Sequence, residues 1–258
     1  MEASSVGGVV EKLRVDIWSD IACPWCYVGK ARFDKAVQQL DGKVDVEIRH
    51  RSFELDPHRE PGDTAPVVDM LVKKYGMSRA QAQAGEYRLG DLAKAEGLEY
   101  RTEGRDHGNT FDLHRILHLA AERGLEAQVW QAFYVANFAD EASIFERGRV
   151  IDVSVAAGLD KDEVVAVLDD PEAYRDAVRA DQAEAAALGA TGVPFFVVDE
   201  KYGVSGAQPT ELFTEVLEKA WGEKRPAITT IAGAEGASST EHAESSISGA
   251  CGPDGCPV

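Results

Sequence analysis

Two thiols held three positions apart, in Cys23-Pro24-Trp25-Cys26, are the residues of this 258-residue chain best placed to do chemistry. A cysteine thiolate attacks a disulfide sulfur and forms a mixed disulfide, and a second thiol within reach resolves it. The same spacing also suits a metal site, which would need further ligands. The other two of the four cysteines, Cys251 and Cys256, form a second close pair near the C-terminus. Four cysteines in a chain of this length are too few for a disulfide scaffold, and close pairs in a reducing compartment point to catalysis or metal. Six histidines complete the inventory: His50, His58, His107, His114, His118 and His242. His114 and His118 stand four apart on an expected helix, but no glutamate of an HExxH type lies between them. One polar edge and one packed ring is the expectation there. No metal and no cofactor are expected.

What activates Cys23 is its surroundings. Leu13 to Ser19 alternates apolar and polar residues and ends at Asp20, as a strand does. From Tyr27 to Leu40 the apolar residues Val28, Phe33, Ala36, Val37 and Leu40 fall at helical spacing, and Asp41-Gly42 stops the run. The cysteine pair therefore sits at a strand-to-helix turn. At a helix N-terminus the unpaired N–H groups favour negative charge, so the thiolate of Cys23 is stabilised. Pro24 fits the first helical turn, where its missing N–H costs nothing.

A second strand, Val44 to Phe53, closes a β-α-β unit before Asp56-Pro57. Residues 66–190 then show helical patterns: Val67 to Tyr75, Arg79 to Glu96, Phe111 to Arg123, Ala127 to Ala139, Arg149 to Ala157, Lys161 to Leu168 and Pro171 to Leu188. Gly76, Gly97, Gly124 and Gly158 stand at expected helix ends. Thr191 to Asp199 reads as an apolar strand with Pro194 near its start, Lys201 to Ser205 as its hairpin partner, and Thr210 to Trp221 as a last helix. A proline there cannot donate to a ladder; it marks a strand edge in trans or takes the cis form. The expected organisation is an α/β fold in four parts. Residues 10–65 and 191–224 are its N- and C-terminal halves, 66–190 a helical insertion, and 225–258 a flexible tail rich in small and polar residues.

The composition, 44% hydrophobic and 28% charged, describes a chain able to bury a core. The formal charge of −18 argues against nucleic acid and anionic membranes as partners. No run approaches the roughly 18 apolar residues of a membrane span, and no secretory leader is visible, so a cytoplasmic location is expected.

Strand, C-P-x-C, helix, strand, helical insertion and V-P strand in this order resemble the DsbA-like branch of the thioredoxin superfamily. Further stretches look like its FrnE-like subgroup: Asp20-Ile21-Ala22-Cys23-Pro24-Trp25-Cys26, Arg51-Ser52-Phe53-Glu54-Leu55-Asp56-Pro57, Asn109-Thr110-Phe111-Asp112-Leu113-His114-Arg115, Gly192-Val193-Pro194-Phe195-Phe196-Val197 and Ser205-Gly206-Ala207-Gln208. The matches run from about residue 13 to 222. The resemblance implies a thioredoxin-like fold and a thiol–disulfide oxidoreductase or isomerase. It makes Cys23 the nucleophile, Cys26 the resolving thiol and Pro194 a cis-proline packed beside the sulfurs. Pro24 and Trp25 become active-site neighbours, and Val193 offers its backbone to an extended substrate. The partners implied are protein thiols and disulfides or a small-molecule thiol, and the helical insertion could supply the surface of a homodimer.

Two other functions use the same residues. The branch includes kappa-class glutathione transferases and 2-hydroxychromene-2-carboxylate isomerases, whose chemistry on small molecules, polyketide or aromatic, needs no resolving thiol; these relatives typically carry Ser where this chain has Cys23. A non-catalytic module sharing one zinc between the two cysteine pairs is the third. DsbA usually has His where this chain has Trp25, so less stabilisation of the Cys23 thiolate and a milder potential are expected. Some FrnE-like proteins also resemble this chain in a C-x4-C tail. Gly252-Pro253-Asp254-Gly255 is a turn sequence between Cys251 and Cys256, and the stretch after Arg225 would give that auxiliary pair a reach of roughly 25–30 Å.

Overall fold

The computed structural model describes residues 12–224. Cys251 and Cys256, and with them the expectation of an auxiliary redox pair, lie outside the described residues. A four-stranded sheet has the order β2-β1-β5-β6, built from β1 (Leu13–Ser19), β2 (Val46–Ser52), β5 (Phe195–Val198) and β6 (Tyr202–Ser205). β1 runs parallel to β2 and antiparallel to β5, which pairs antiparallel with β6. The parallel pair needs a crossover, and α1 (Pro24–Gln39) supplies it.

Leu13, Val15 and Ile17 of β1 bury one face of the sheet against Phe33 of α1 and against Phe213 and Leu217 of α9 (Thr210–Lys224). The rings of Phe33, Phe196 and Phe213 meet there with centroids 4.6–5.5 Å apart. The opposite face, whose polar residues suggest solvent, is buried as well. Trp18 packs with Val197 and Ala185 of α8 (Arg175–Ala187). Asp16 is 2% exposed and pairs with Arg14 at 2.7 Å and Arg51 at 2.9 Å.

Between β2 and β5 the chain forms α2 (Val67–Tyr75), α3 (Arg79–Ala95), α4 (Phe111–Glu122), α5 (Glu126–Phe138), α6 (Arg147–Ala156), α7 (Lys161–Asp169) and α8. Gly76, Gly97, Gly124 and Gly158 all take positive φ, the left-handed conformation that ends a helix cheaply when no Cβ is present. Two features depart from the sequence pattern. A short antiparallel ladder pairs β3 (Ala65–Pro66) with β4 (Asp106–His107), inside the stretch that shows no alternation. α8 begins at Arg175 and not at Pro171, because the buried Arg115 guanidinium donates to the carbonyls of Asp170 and Ala173 and Tyr174 turns to φ 57°.

The helical core collects Ile116, Trp130, Phe133, Tyr134 and Phe138, and Ile21, Cys23, Cys26 and Tyr27 belong to it. The cysteine turn is thus the seam between sheet and helices.

Candidate active site

Cys23 is the N-cap of α1, with φ −89° and ψ 110°, and Pro24 opens the helix. The Cys26 and Tyr27 amides donate to the Cys23 carbonyl at 3.1 and 3.3 Å. The first turn of α1 carries no acidic residue, so its positive end is left to act on the Cys23 sulfur. Both cysteines are free thiols, 3% and 1% exposed. Between them Trp25 stands 45% exposed and marks the outer side of the site. Burial pushes the Cys26 thiol well above its ordinary range, and the neighbouring Cys23 pushes it further.

Across from the turn, the Val193–Pro194 peptide is cis, and the Cys23 thiol donates to the Val193 carbonyl at 3.5 Å. The segment is held by its neighbours. Gly206 N–H donates to the Pro194 carbonyl at 2.8 Å, and Arg32 of α1 donates to the Ala207 carbonyl at 2.7 Å. Gly29 lets α1 come close: a Cβ there would meet Pro194 Cγ at 3.0 Å and Ala207 at 3.3 Å.

Beneath the turn lies Asp20, 1% exposed. Its main-chain carbonyl accepts from Cys23 N–H at 3.1 Å, and its carboxylate from the amides of Leu55 at 2.7 Å and Ala22 at 3.2 Å. His114 Nε2 stands 3.4 Å from Asp20 Oδ1, with the ring fully buried. Burial alone would raise the Asp20 carboxyl, but His114 and the two amides outweigh it and hold it below its ordinary 3.8. The stretch 51–55 that brings Leu55 to Asp20 is itself strapped down: Ser52 N–H donates to Asp181 at 2.9 Å, and buried Glu54 accepts from Arg179 and from Gln182.

His114 and His118 do not converge. His118 Nε2 lies 3.2 Å from both Ser52 Oγ and Asp181 Oδ2, whereas His114 faces Asp20, so the two rings share no partner. Asp20, His107 and Tyr134 are residues that spacing alone does not single out. Asp20 is legible as the polar end of a strand and the first residue of a family-like stretch, His107 as one histidine in a loop-like stretch. Tyr134, buried with Cys26, packs its ring 5.6 Å from Tyr27.

A profile described as a DSBA-like thioredoxin domain matches residues 14–218. The chain belongs to that family. The probable DsbA oxidoreductase SCO1869 from Streptomyces coelicolor is 58% identical, with 95% of this chain and 99% of that one aligned at a TM-score of 0.80. The cytosolic disulfide reductase DsbM from Pseudomonas aeruginosa shares the fold at 17% identity, with 81% and 99% aligned and a TM-score of 0.57. A 2-hydroxychromene-2-carboxylate isomerase does so at 19%, with 82% and 95% aligned and a TM-score of 0.53. A stretch of 49 residues is 43% identical to the uncharacterized protein YwbO of Bacillus subtilis, and the match spans 22% of that protein's length. The fold is thioredoxin-like, and the chain is a DsbA-like oxidoreductase. Among the described residues no helix is long and apolar enough to cross a membrane.

Proposed function

We propose that this DsbA-like oxidoreductase exchanges thiols and disulfides through a mixed disulfide at Cys23 that Cys26 resolves. The observation that carries the reading is the pair of free thiols at the N-terminus of α1, with Cys23 facing the Val193 carbonyl. In the reducing direction the Cys23 thiolate attacks one sulfur of a substrate disulfide, and the other sulfur leaves as a thiolate. Cys26 then attacks the Cys23 sulfur, releases the second substrate thiolate and leaves Cys23–Cys26 oxidised; two electrons pass to the substrate. The buried Cys26 thiol stays protonated while Cys23 carries charge beside it. Once Cys23 enters the mixed disulfide that charge is gone, and Cys26 gives up its proton more readily. Asp20 acts as a positioning residue, fixing the turn through its carbonyl and carboxylate. Val193 presents its backbone beside Cys23 to an extended substrate.

The reading includes the cytoplasm as its setting, four cysteines in 258 residues being too few for a disulfide scaffold. It also includes electron exchange between Cys251/Cys256 and Cys23/Cys26. Reactivation of scrambled ribonuclease tests the whole scheme. Cys23→Ser is expected to abolish it, Cys26→Ser to accumulate a mixed disulfide visible by mass spectrometry, and Cys251→Ser/Cys256→Ser to slow it. Full activity of Cys23→Ser would refute the scheme; an unchanged tail variant would remove the tail from it.

A further inference from the structure

Beside Cys23 opens a groove of about 690 Å³, walled by α2 and α3 and by Gly192 and Val193. That is the size of a small-ligand site, typically about 300–1,000 Å³. Met70, Leu71, Leu89 and Leu92 line it. They are only partly buried and belong to none of the three packed cores among the described residues, so α2 and α3 present them to the groove. Trp25 and Tyr75, 45% and 63% exposed, add aromatic surface. An apolar lining of this kind takes an apolar body.

The polar groups along the groove fix the sign of that body's charge. Arg105 and Glu86 cancel each other in a buried pair at 2.5 Å. Lys74 and Arg88 remain, against Asp106. Lys74 is engaged, donating to the Leu55 carbonyl at 3.3 Å and lying 3.9 Å from Asp56, whereas Arg88 is exposed and makes no ion pair or hydrogen bond among the described residues. In a chain of net charge −18, an exposed guanidinium without a partner among the described residues, beside an apolar groove, is matched to an anion. Deeper in, His107 is 6% exposed with its Nε2 unbonded, 3.6 Å from Asp56 Oδ2. Burial holds the ring below its ordinary range, so a neutral imidazole is left to bond a polar atom of the ligand.

We propose that this groove binds a small apolar disulfide carrying an anionic group, its apolar body between α2 and α3, its charge at Arg88 and its disulfide at Cys23. The proposal rests on Cys23 being the exchanging thiol. The thiolate of Cys23 displaces one apolar thiolate and Cys26 the second, so one disulfide yields two thiols as the enzyme's dithiol is oxidised.

Binding and exchange are tested apart. Calorimetric titration of the full-length Cys23→Ser chain with benzylthiobenzoate, which cannot exchange, is expected to show binding about fivefold tighter than its neutral carboxamide. Arg88→Ala in that background is expected to erase the difference. Stopped-flow single turnovers of the pre-reduced full-length chain then compare anionic dithiobis(nitrobenzoate) with neutral dithiodipyridine. Arg88→Ala is expected to raise the half-saturating concentration of the first about fivefold, leave its limiting rate alone and spare the second. Equal binding of carboxylate and carboxamide, no binding of either, or an Arg88→Ala effect shared by both disulfides would overturn the proposal. Charge-selective binding without exchange would uphold the groove and instead overturn the thiol–disulfide reading.

Discussion

Asp20 shows how one buried charge organises the candidate site. It lies at the end of β1, accepts from the amides of Cys23, Ala22 and Leu55, and faces His114 at 3.4 Å. A carboxyl held below its ordinary 3.8 in the folded state contributes stability that is complete above that value and is lost as pH falls through the lower folded-state value. Asp20→Asn, which keeps an acceptor but removes the charge facing His114, is expected to lower stability at neutral pH by about 1–3 kcal/mol. Its urea midpoint should approach the wild-type one in acid; a constant gap from pH 7 to pH 3 (about one unit below the ordinary value) would contradict the assignment. The Cys23/Cys26 spacing is a local property and is legible in the sequence. Asp20, His107 and His114 stand out there only as motif residues or histidines, and their pairings are not legible, because the partners come from other elements: Leu55 lies 35 positions from Asp20. Polarity in a sequence does not say whether a residue is solvated or buried and paired.

Among the elements, the strands and helices with a clean period were legible, and the departures have physical causes. The hydrophobic alternation of β1 suggests one solvated face, but α8 covers it, and Asp16 is buried with Arg14 and Arg51 as partners. The β3/β4 ladder is two residues long in each strand, too short for any alternation. Pro171 looks like a helix start, yet Arg115 takes the nearby carbonyls, and nothing within 171–188 records that competition. At the start of α5, burial raises the Glu126 carboxyl to about 7; the His50 amide, His118 and Arg51 oppose it and Asp181 adds to it. For an acid with its folded value raised, stability is full below the ordinary 4.5 and is lost as pH rises through about 7. Glu126→Gln is therefore expected to gain up to about 2 kcal/mol over wild type in mild alkali, the partial exposure of the site limiting the effect, and nothing in acid. Thermal melts across that range check it, and a variant less stable than wild type in alkali would contradict it.

At the scale of the whole molecule, two cores meet at the cysteine turn. The sheet core fixes α1 behind Cys23, and the helical core closes over Cys26. The order of elements and the family were legible from residues 13–222, because the motifs are short, local and arranged in a fixed sequence. The groove was not, since it arises from α2 and α3 standing away from the cores, a matter of packing between elements remote in sequence. With exposed Trp25 in place of a cation between the cysteines, a couple more reducing than about −120 mV, the value of DsbA, is expected. The most direct test of the central claim is the redox equilibrium of Cys23/Cys26 in dithiothreitol or glutathione buffers, followed by Trp25 fluorescence and thiol alkylation. A reversible two-electron transition at such a potential, absent in Cys23→Ser, is the predicted result. Thiols that stay reduced across the whole range, or a transition that persists in Cys23→Ser with Cys251 and Cys256 also replaced, would contradict it.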